Sequence, residues 1–264
     1  MKGAIIGDIV GSVYEHAPVK YENFRLFTDD STFTDDTVLT IASAFAILYN
    51  KSYESAYKLW GRKYPYAGYG GLFKEWLDSE SSTPYNSWGN GAAMRVSPIA
   101  WAFNKLEEVQ SEAIKSASVT HNHPEGIKGA LAVATAIFLA RCNRSKIQIQ
   151  EYISREYNYN LLTDYEKLKR DYRPDVSAQG SVPQAIVAFL ASVNYEDAVR
   201  KAVALGGDSD TQACIAGAIA QAFYGEIPRD IVTVAHSIIP GEMLDIVVQF
   251  NKKYRIDLKQ TVIK

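Results

Sequence analysis

The chain has 264 residues, 47% of them hydrophobic, and a formal net charge of −2. This length and composition support a sizeable buried core, and the balanced charge gives no electrostatic basis for binding nucleic acid or a membrane surface. The start, MKGAIIGDIVGSVYE, does not read as a signal peptide, because Asp8 and glycines interrupt its apolar stretch. The longest apolar run, 130–140, is too short to cross a bilayer. We therefore expect a soluble, cytoplasmic protein with no nucleic-acid or membrane partner.

Apolar residues recur at helical spacing along most of the chain. The segment 3–13 fits a helix or a buried strand; as a helix it places Gly7 and Gly11 on one face, where another backbone can approach. Helices are predicted over 38–49, 53–69, 72–77, 92–103, 106–120, 126–140, 149–157, 182–192, 195–205, 211–224 and 230–250. Loops are predicted over 20–32, 79–91 and 158–180.

Evidence for β-strands is thin, because no period-2 alternation extends beyond a few residues. We expect an all-α fold, a single compact multi-helix domain over 1–264. The two cysteines, Cys142 and Cys214, lie in apolar runs of small residues, which predicts buried, reduced thiols. Neither has another cysteine or a histidine nearby at the spacing of a zinc site.

Two short acidic stretches each open an apolar, alanine-rich segment: TDDT at 34–37 and GGDSDT at 206–211. One Asp, Ser or Thr is enough to cap a helix, for about 0.5–2 kcal/mol. Each stretch has two acids and at least one hydroxyl, and neither contains a Lys or Arg. Because buried carboxylates need neutralisation, capping alone does not account for both stretches.

Carboxylate and hydroxyl oxygens are the ligands that hard divalent cations prefer. The carboxylates of Asp35, Asp36, Asp208 and Asp210 would together balance two such ions. We interpret these residues as a binuclear metal site, with a solvated acidic rim plus helix caps as the alternative. The similar TDD at 28–30 has no apolar run directly behind it and is predicted to lie at the surface.

Five motifs occur in order along nearly the whole chain. They are GAIIGDIVGSVYE at 3–15, FTDDTVLT at 33–40, SWGNGAAMRVSPIA at 87–100, SVTHNHPEGIKGA at 118–130 and AVALGGDSDTQACIAGAIAQAFYG at 202–225. Together they resemble the motifs of the ADP-ribosylglycohydrolase family. The resemblance implies an all-α hydrolase with two Mg²⁺ or Mn²⁺ ions that cleaves ADP-ribose from a protein side chain or small acceptor. It leaves the acceptor open among arginine, serine and small molecules.

The resemblance also implies the site residues. The implied metal ligands are Thr34, Asp35, Asp36, Asp208, Asp210 and Thr211. The implied catalytic residues are Glu15, Asp36 and Asp208. The residues that would line the diphosphate are Ser87, Trp88, Gly89 and Asn90, and His121 would border the ADP-ribose. One departure is Asn86, which stands where many relatives have glycine.

A glycosidic bond at a ribose carbon breaks through an oxocarbenium-like transition state. Glu15 fits two roles, the base for the attacking water or the proton donor. Backbone amides of the loop 87–91 can hold phosphate oxygens. Trp88 would stack or pack, and Arg95 would pair with a carboxylate or a ligand. His123 is expected to face solvent or cap a helix.

Two other functions suit the same residues. A hydrolase of nucleotides or phosphate esters would also use paired metals and acids. A non-catalytic ADP-ribose-binding protein would not need the four aspartates Asp35, Asp36, Asp208 and Asp210, whose presence argues against it.

Overall fold

The computed structural model describes residues 1–256. Fifteen helices, joined by loops, lie within this range. They are α1 (Lys2–His16), α2 (Asp35–Tyr49), α3 (Tyr53–Lys63), α4 (Gly71–Asp78), α5 (Gly91–Met94), α6 (Ser97–Ala102), α7 (Leu106–Ser118), α8 (Pro124–Arg141), α9 (Lys146–Tyr157), α10 (Tyr165–Asp171), α11 (Ala178–Ala191), α12 (Tyr195–Ala204), α13 (Ser209–Tyr224), α14 (Arg229–Ile238) and α15 (Gly241–Tyr254). Across 1–256 there is no β-strand, only an isolated bridge between Gly89 and Ser177. The all-α prediction is confirmed; the predicted domain end at 264 lies outside the described residues.

Helices α1 and α13 lie antiparallel with their backbones in close contact. A Cβ built on Gly7 would overlap the carbonyl of Ala213, and one built on Gly11 would overlap Ser209 and Asp210. Only glycine permits this approach, so the segment 3–13 is a helix and the predicted role of its glycines is confirmed. The contact fixes the C-terminal half of α1 beside the start of α13.

The remaining helices pack around this pair over one continuous hydrophobic core. Helix α2 packs on α1 and α3, while α8 contacts α7, α11 and α13. No helix within residues 1–256 combines the length and the apolar character needed to cross a membrane.

Several predicted boundaries differ from the structure, and prolines account for two of them. The predicted helix 92–103 is two short helices, because Pro98 lies in the first turn of α6 and cannot donate a backbone hydrogen bond. Pro240, the N-cap of α15, likewise divides the predicted helix 230–250. The predicted loop 158–180 contains α10, which begins at its N-cap Asp164. Cys214 is buried, but Cys142 is exposed at the end of α8, contrary to the prediction.

Candidate metal centre and ligand cavity

The N-terminus of α2 is held by a buried carboxylate from α1. Asp8 is fully buried and accepts hydrogen bonds from the backbone amides of Thr34 and Thr37, each at 3.0 Å. The hydroxyls of both threonines also donate to it, that of Thr34 at 2.6 Å. Thr34 in turn caps α2 by accepting from the amide of Asp36 at 3.3 Å. Asp8 therefore fixes the orientation of the helix end that carries the TDDT acids.

Sequence reasoning missed this role and treated Asp8 only as a break in an apolar stretch. The signal was present, because a lone acid inside an apolar, glycine-spaced helix must have polar partners when it is buried. Two flanking threonines at the start of the next helix are such partners.

We expect Asp8→Asn to weaken divalent-metal affinity by about 10–100-fold, the usual effect of removing a residue that orients metal ligands. An asparagine amide would turn an N–H group toward donors that now point at the carboxylate. Titration with Mn²⁺, followed by calorimetry, measures the effect. A helical circular-dichroism spectrum controls for folding, and wild-type affinity in the folded variant would contradict the orienting role.

The second acidic stretch lies at the start of α13. Gly206 and Gly207 adopt left-handed φ values of 74° and 86°, a conformation that glycine adopts without steric cost. Asp208 is the N-cap residue, and Asp210 lies buried in the first turn. The amide of Asn90 donates to Asp208 at 2.5 Å, which ties the loop before α5 to this stretch.

The two acidic stretches meet directly. The hydroxyl of Thr211 donates to Asp36 Oδ2 at 3.0 Å, across 175 positions of sequence. Carboxylate oxygens of Asp8, Asp36 and Asp210 lie within 4.8 Å of one another, as do those of Glu15, Asp208 and Asp210. Asp210 belongs to both groups, so the two groups form one cluster, which we call the acidic cluster.

The acidic cluster is electrostatically strained when it is empty. Burial, and then the charge of Asp210, raise the pKa of Asp36 and of Asp208 well above the ordinary value. The same causes raise the pKa of Asp35, and they raise the pKa of Asp8 to about 7. Asp36 Oδ1 is buried without a hydrogen-bond partner among the described residues. An all-oxygen set with surplus negative charge and an unsatisfied oxygen fits a hard divalent cation.

These pKa shifts predict an unusual pH dependence for metal-free protein. A carboxyl whose pKa is raised by folding binds more protons in the folded than in the unfolded chain, so stability falls as pH rises. For Asp8 the stability is lost between about pH 3.9, the ordinary pKa of aspartate, and about pH 7, the pKa of Asp8 in the folded chain. Thermal unfolding in a chelator should therefore show the highest stability at mildly acidic pH.

Saturating Mn²⁺ should remove that loss at neutral pH, adding about 2.7 kcal/mol to the free energy of unfolding at a hundredfold excess over Kd. The same series of unfolding curves, recorded with and without Mn²⁺, measures this gain in the free energy of unfolding. A stability that rises with pH in the chelator and does not respond to Mn²⁺ would contradict the strained acidic cluster.

All members of the acidic cluster except Asp8 line a cavity of about 400 Å³. Every predicted site residue except Trp88 lines it, namely Glu15, Thr34, Asp35, Asp36, Ser87, Gly89, Asn90, His121, Asp208, Asp210 and Thr211. The Trp88 side chain is 56% exposed and meets the His123 ring edge-on at 5.7 Å between centroids. Its contact with a ligand stays a prediction.

The loop before α5 forms another part of the cavity wall. Asn86 has a left-handed φ of 53°, which asparagine tolerates better than most residues; this explains how it can replace a glycine. The amide of Ser87 donates to the Thr120 carbonyl at 3.4 Å, and the Ser87 hydroxyl accepts from the amide of Gly89 at 3.1 Å. The bridge to Ser177 holds the other side of the loop.

The two histidines of the fourth motif differ in role. His123 caps α8, since its Nδ1 accepts from the amide of Glu125 at 3.1 Å; capping was one of its two expected roles. His121 is buried in the cavity wall. Arg95 is also buried and has no carboxylate partner among residues 1–256, so the predicted ion pair is wrong.

Comparison with known proteins agrees with this geometry. A family model described as ADP-ribosylglycohydrolase matches residues 1–254. The chain therefore belongs to the ADP-ribosylglycohydrolase family and is a hydrolase of that class.

Individual relatives align over most of the chain. ADP-ribosylhydrolase ARH3 of Mus musculus is 28% identical, covering 85% of this chain and 82% of its own; the Homo sapiens protein is 27% identical, covering 85% and 84%. ADP-ribosylarginine hydrolase Tri1 of Pseudomonas putida is 25% identical, covering 84% and 69%. A solved structure titled ADP-ribosylglycohydrolase-related protein complex shares the fold, with a TM-score of 0.73, 22% identity, and coverage of 97% and 95%.

Proposed function

We propose that this protein hydrolyses the glycosidic bond between ADP-ribose and a protein side chain or small acceptor, using two divalent ions. The single observation that carries the proposal is the acidic cluster opening into a cavity of about 400 Å³. Relatives described as ADP-ribosylhydrolases and as an ADP-ribosylarginine hydrolase support it. A cytoplasmic location stays a prediction from the sequence.

The residues proposed to hold the ions carry oxygen donors and line the cavity; Asp36, Asp208 and Asp210 belong to the acidic cluster, whereas Asp35 lies outside it. The proposed ligands are Thr34, Asp35, Asp36, Asp208, Asp210 and Thr211. Either Mg²⁺ or Mn²⁺ suits such donors, and when bound, an ion of this kind supplies positive charge that orients ribose hydroxyls and water.

Side chains of the protein would carry out the remaining tasks of catalysis, which are to hold the ions and to transfer a proton. Asp36 and Asp208 would hold the ions in place beside the ribose ring, where positive charge develops as the glycosidic bond breaks. Glu15 is the exposed member of the acidic cluster, which leaves it accessible to water and substrate. Partial burial, and then Asp210, raise its pKa, which brings proton transfer closer to neutral pH. It would act as the base for water or as the acid for the leaving group.

The loop wall would bind the other half of the ligand. Ser87, Gly89, Asn90 and His121 line the cavity. They carry no negative charge and offer neutral polar groups, which suit a diphosphate better than the acids do.

A release assay over a panel of acceptors tests the proposal. ADP-ribosylated arginine peptide, ADP-ribosylated serine peptide and O-acetyl-ADP-ribose would each be incubated with Mg²⁺ or Mn²⁺, and free ADP-ribose measured by chromatography. We expect release from at least one substrate, abolished by chelator and strongly reduced in Glu15→Gln. Phosphate or nucleotide products without free ADP-ribose would instead identify a phosphate-ester hydrolase.

A further inference from the structure

A buried arginine lies beside His121 in the wall of the cavity. The Arg95 side chain is fully buried, and its guanidinium lies over the Tyr57 ring, 4.1 Å from the centroid. Nη2 donates to the Ser116 carbonyl at 3.0 Å and to the Thr120 hydroxyl at 2.8 Å. Burying a cation without a carboxylate partner costs free energy of folding, so stability does not explain the position of Arg95.

The direction of these hydrogen bonds follows from the donor inventory. Arginine is a donor only, so the Thr120 oxygen accepts from Arg95. An oxygen that accepts from a cation becomes a stronger donor through its own proton. The Thr120 hydroxyl therefore donates to His121 Nδ1, which lies 2.8 Å away. An Nδ1 atom that accepts this proton cannot carry one itself, so the ring proton of a neutral His121 is on Nε2.

The other ring nitrogen faces the loop that would hold the diphosphate. A Cβ built on Gly91 would lie 3.1 Å from His121 Nε2, and one built on Gly89 would lie 3.6 Å from it. No described residue hydrogen-bonds Nε2. Burial, followed by the charge of Arg95, holds the pKa of His121 well below its usual range, which favours the neutral ring.

We propose that Arg95 is a positioning residue that acts through Thr120 to hold His121 neutral, with its proton on Nε2. The ring then presents an N–H donor, and not a lone pair, to an anionic oxygen bound in the cavity. The identity of that anion as the diphosphate of ADP-ribose rests on the proposed function. The reverse arrangement, with the proton on Nδ1, would point a lone pair at the anion and repel it.

The tautomer can be measured on ligand-free protein. Long-range proton–nitrogen correlation spectra of protein carrying ¹⁵N-histidine distinguish the two neutral forms, and His121→Gln identifies the His121 signals among the four histidines. We expect neutral, Nε2-protonated His121 in the wild type. In Arg95→Met the Thr120 hydroxyl is free to turn and accept, so both neutral forms should appear. Nδ1-protonated or charged His121 in the wild type would overturn the proposal.

A matched pair at Thr120 supplies the second measurement and does not depend on the folding of the Arg95 variant. Thr120→Val keeps the shape and removes the hydroxyl, whereas Thr120→Ser keeps it. Without the hydroxyl, nothing holds the proton on Nε2; if about half of the rings keep it there, the apparent Kd for ADP-ribose should rise about twofold or more in Thr120→Val. Thr120→Ser should bind like the wild type and keep the single tautomer.

The outcomes separate the two proposals. ADP-ribose affinity that is unchanged in Thr120→Val would overturn the positioning role even if the tautomer is as expected. Failure of wild-type protein to bind ADP-ribose would count against the proposed function, while the ligand-free spectra would still decide the state of His121.

Discussion

Asp36→Asn is expected to lower glycohydrolase activity at least 100-fold, more than the 10–100-fold typical of residues outside the metal's own ligands. The same change should make metal-free protein more stable. Asp36 is buried among carboxylates, and its Oδ1 has no hydrogen-bond partner in the described residues. Asparagine removes a carboxyl whose pKa is raised by burial and by the charges of Asp210 and Asp8. Loss of activity together with a higher unfolding temperature in chelator would distinguish a ligand from a structural residue.

The first TDD copy supplies a matched control for this experiment. Asp30 has the same local sequence as Asp36 but is exposed, as the surface prediction for 28–30 required. Asp30→Asn should leave activity and unfolding temperature within error of the wild type. Equal effects of Asp30→Asn and Asp36→Asn, or full activity in Asp36→Asn, would contradict the assignment of Asp36 to a metal site.

Gly7→Ala is expected to damage both stability and function. Its Cβ would overlap the Ala213 carbonyl, and the obstacle is backbone, which cannot rotate away. Overpacking of this kind typically costs about 1–3 kcal/mol, so α1 and α13 must separate. Because α1 carries Asp8 and Glu15 while α13 carries Asp210, separation should also weaken metal binding. Chemical denaturation and Mn²⁺ titration of the same sample measure the two effects.

Gly241 is a suitable control position for the alanine substitution. It opens α15, and a Cβ there would have nothing within 4 Å. Gly241→Ala should be neutral or stabilising by up to about 1 kcal/mol, because alanine costs less entropy than glycine in a helix. If Gly7→Ala proved as harmless as Gly241→Ala, the close α1–α13 contact would not be what assembles the acidic cluster.

The sequence predicted that the two acidic stretches lie together, because charge must be balanced wherever it is buried; Asp35, which was included in that prediction, lies outside the acidic cluster. Two acidic stretches opening apolar helices implied a shared counter-ion, and Thr211 does contact Asp36 in the structure. The same reasoning did not identify the role of Asp8, because Asp8 is the only acid within its apolar segment. Its importance depends on the packing of α1 against the start of α2, and no local pattern encodes that contact.

Helix boundaries and buried polar partners were harder to predict. Hydrophobic periodicity continues across Pro98 and Pro240, although one helix ends and another begins next to each proline. Arg95 was expected to pair with a carboxylate or a ligand, and this expectation was wrong for the carboxylate. A sequence does not show which groups lie near a given side chain in the fold. The real partners of Arg95, the Ser116 carbonyl and the Thr120 hydroxyl, come from the end of α7, and backbone carbonyls are invisible to residue-type reasoning.

Anomalous diffraction from crystals soaked in Mn²⁺ would test most directly whether the carboxylates of α1, α2 and α13 converge on cations. We predict two strong peaks at the acidic cluster, each contacted by aspartate oxygens from both acidic stretches, and their loss in crystals of Asp36→Asn. Well-ordered crystals with no peak among Asp36, Asp208 and Asp210, at Mn²⁺ concentrations that saturate ordinary sites, would contradict it.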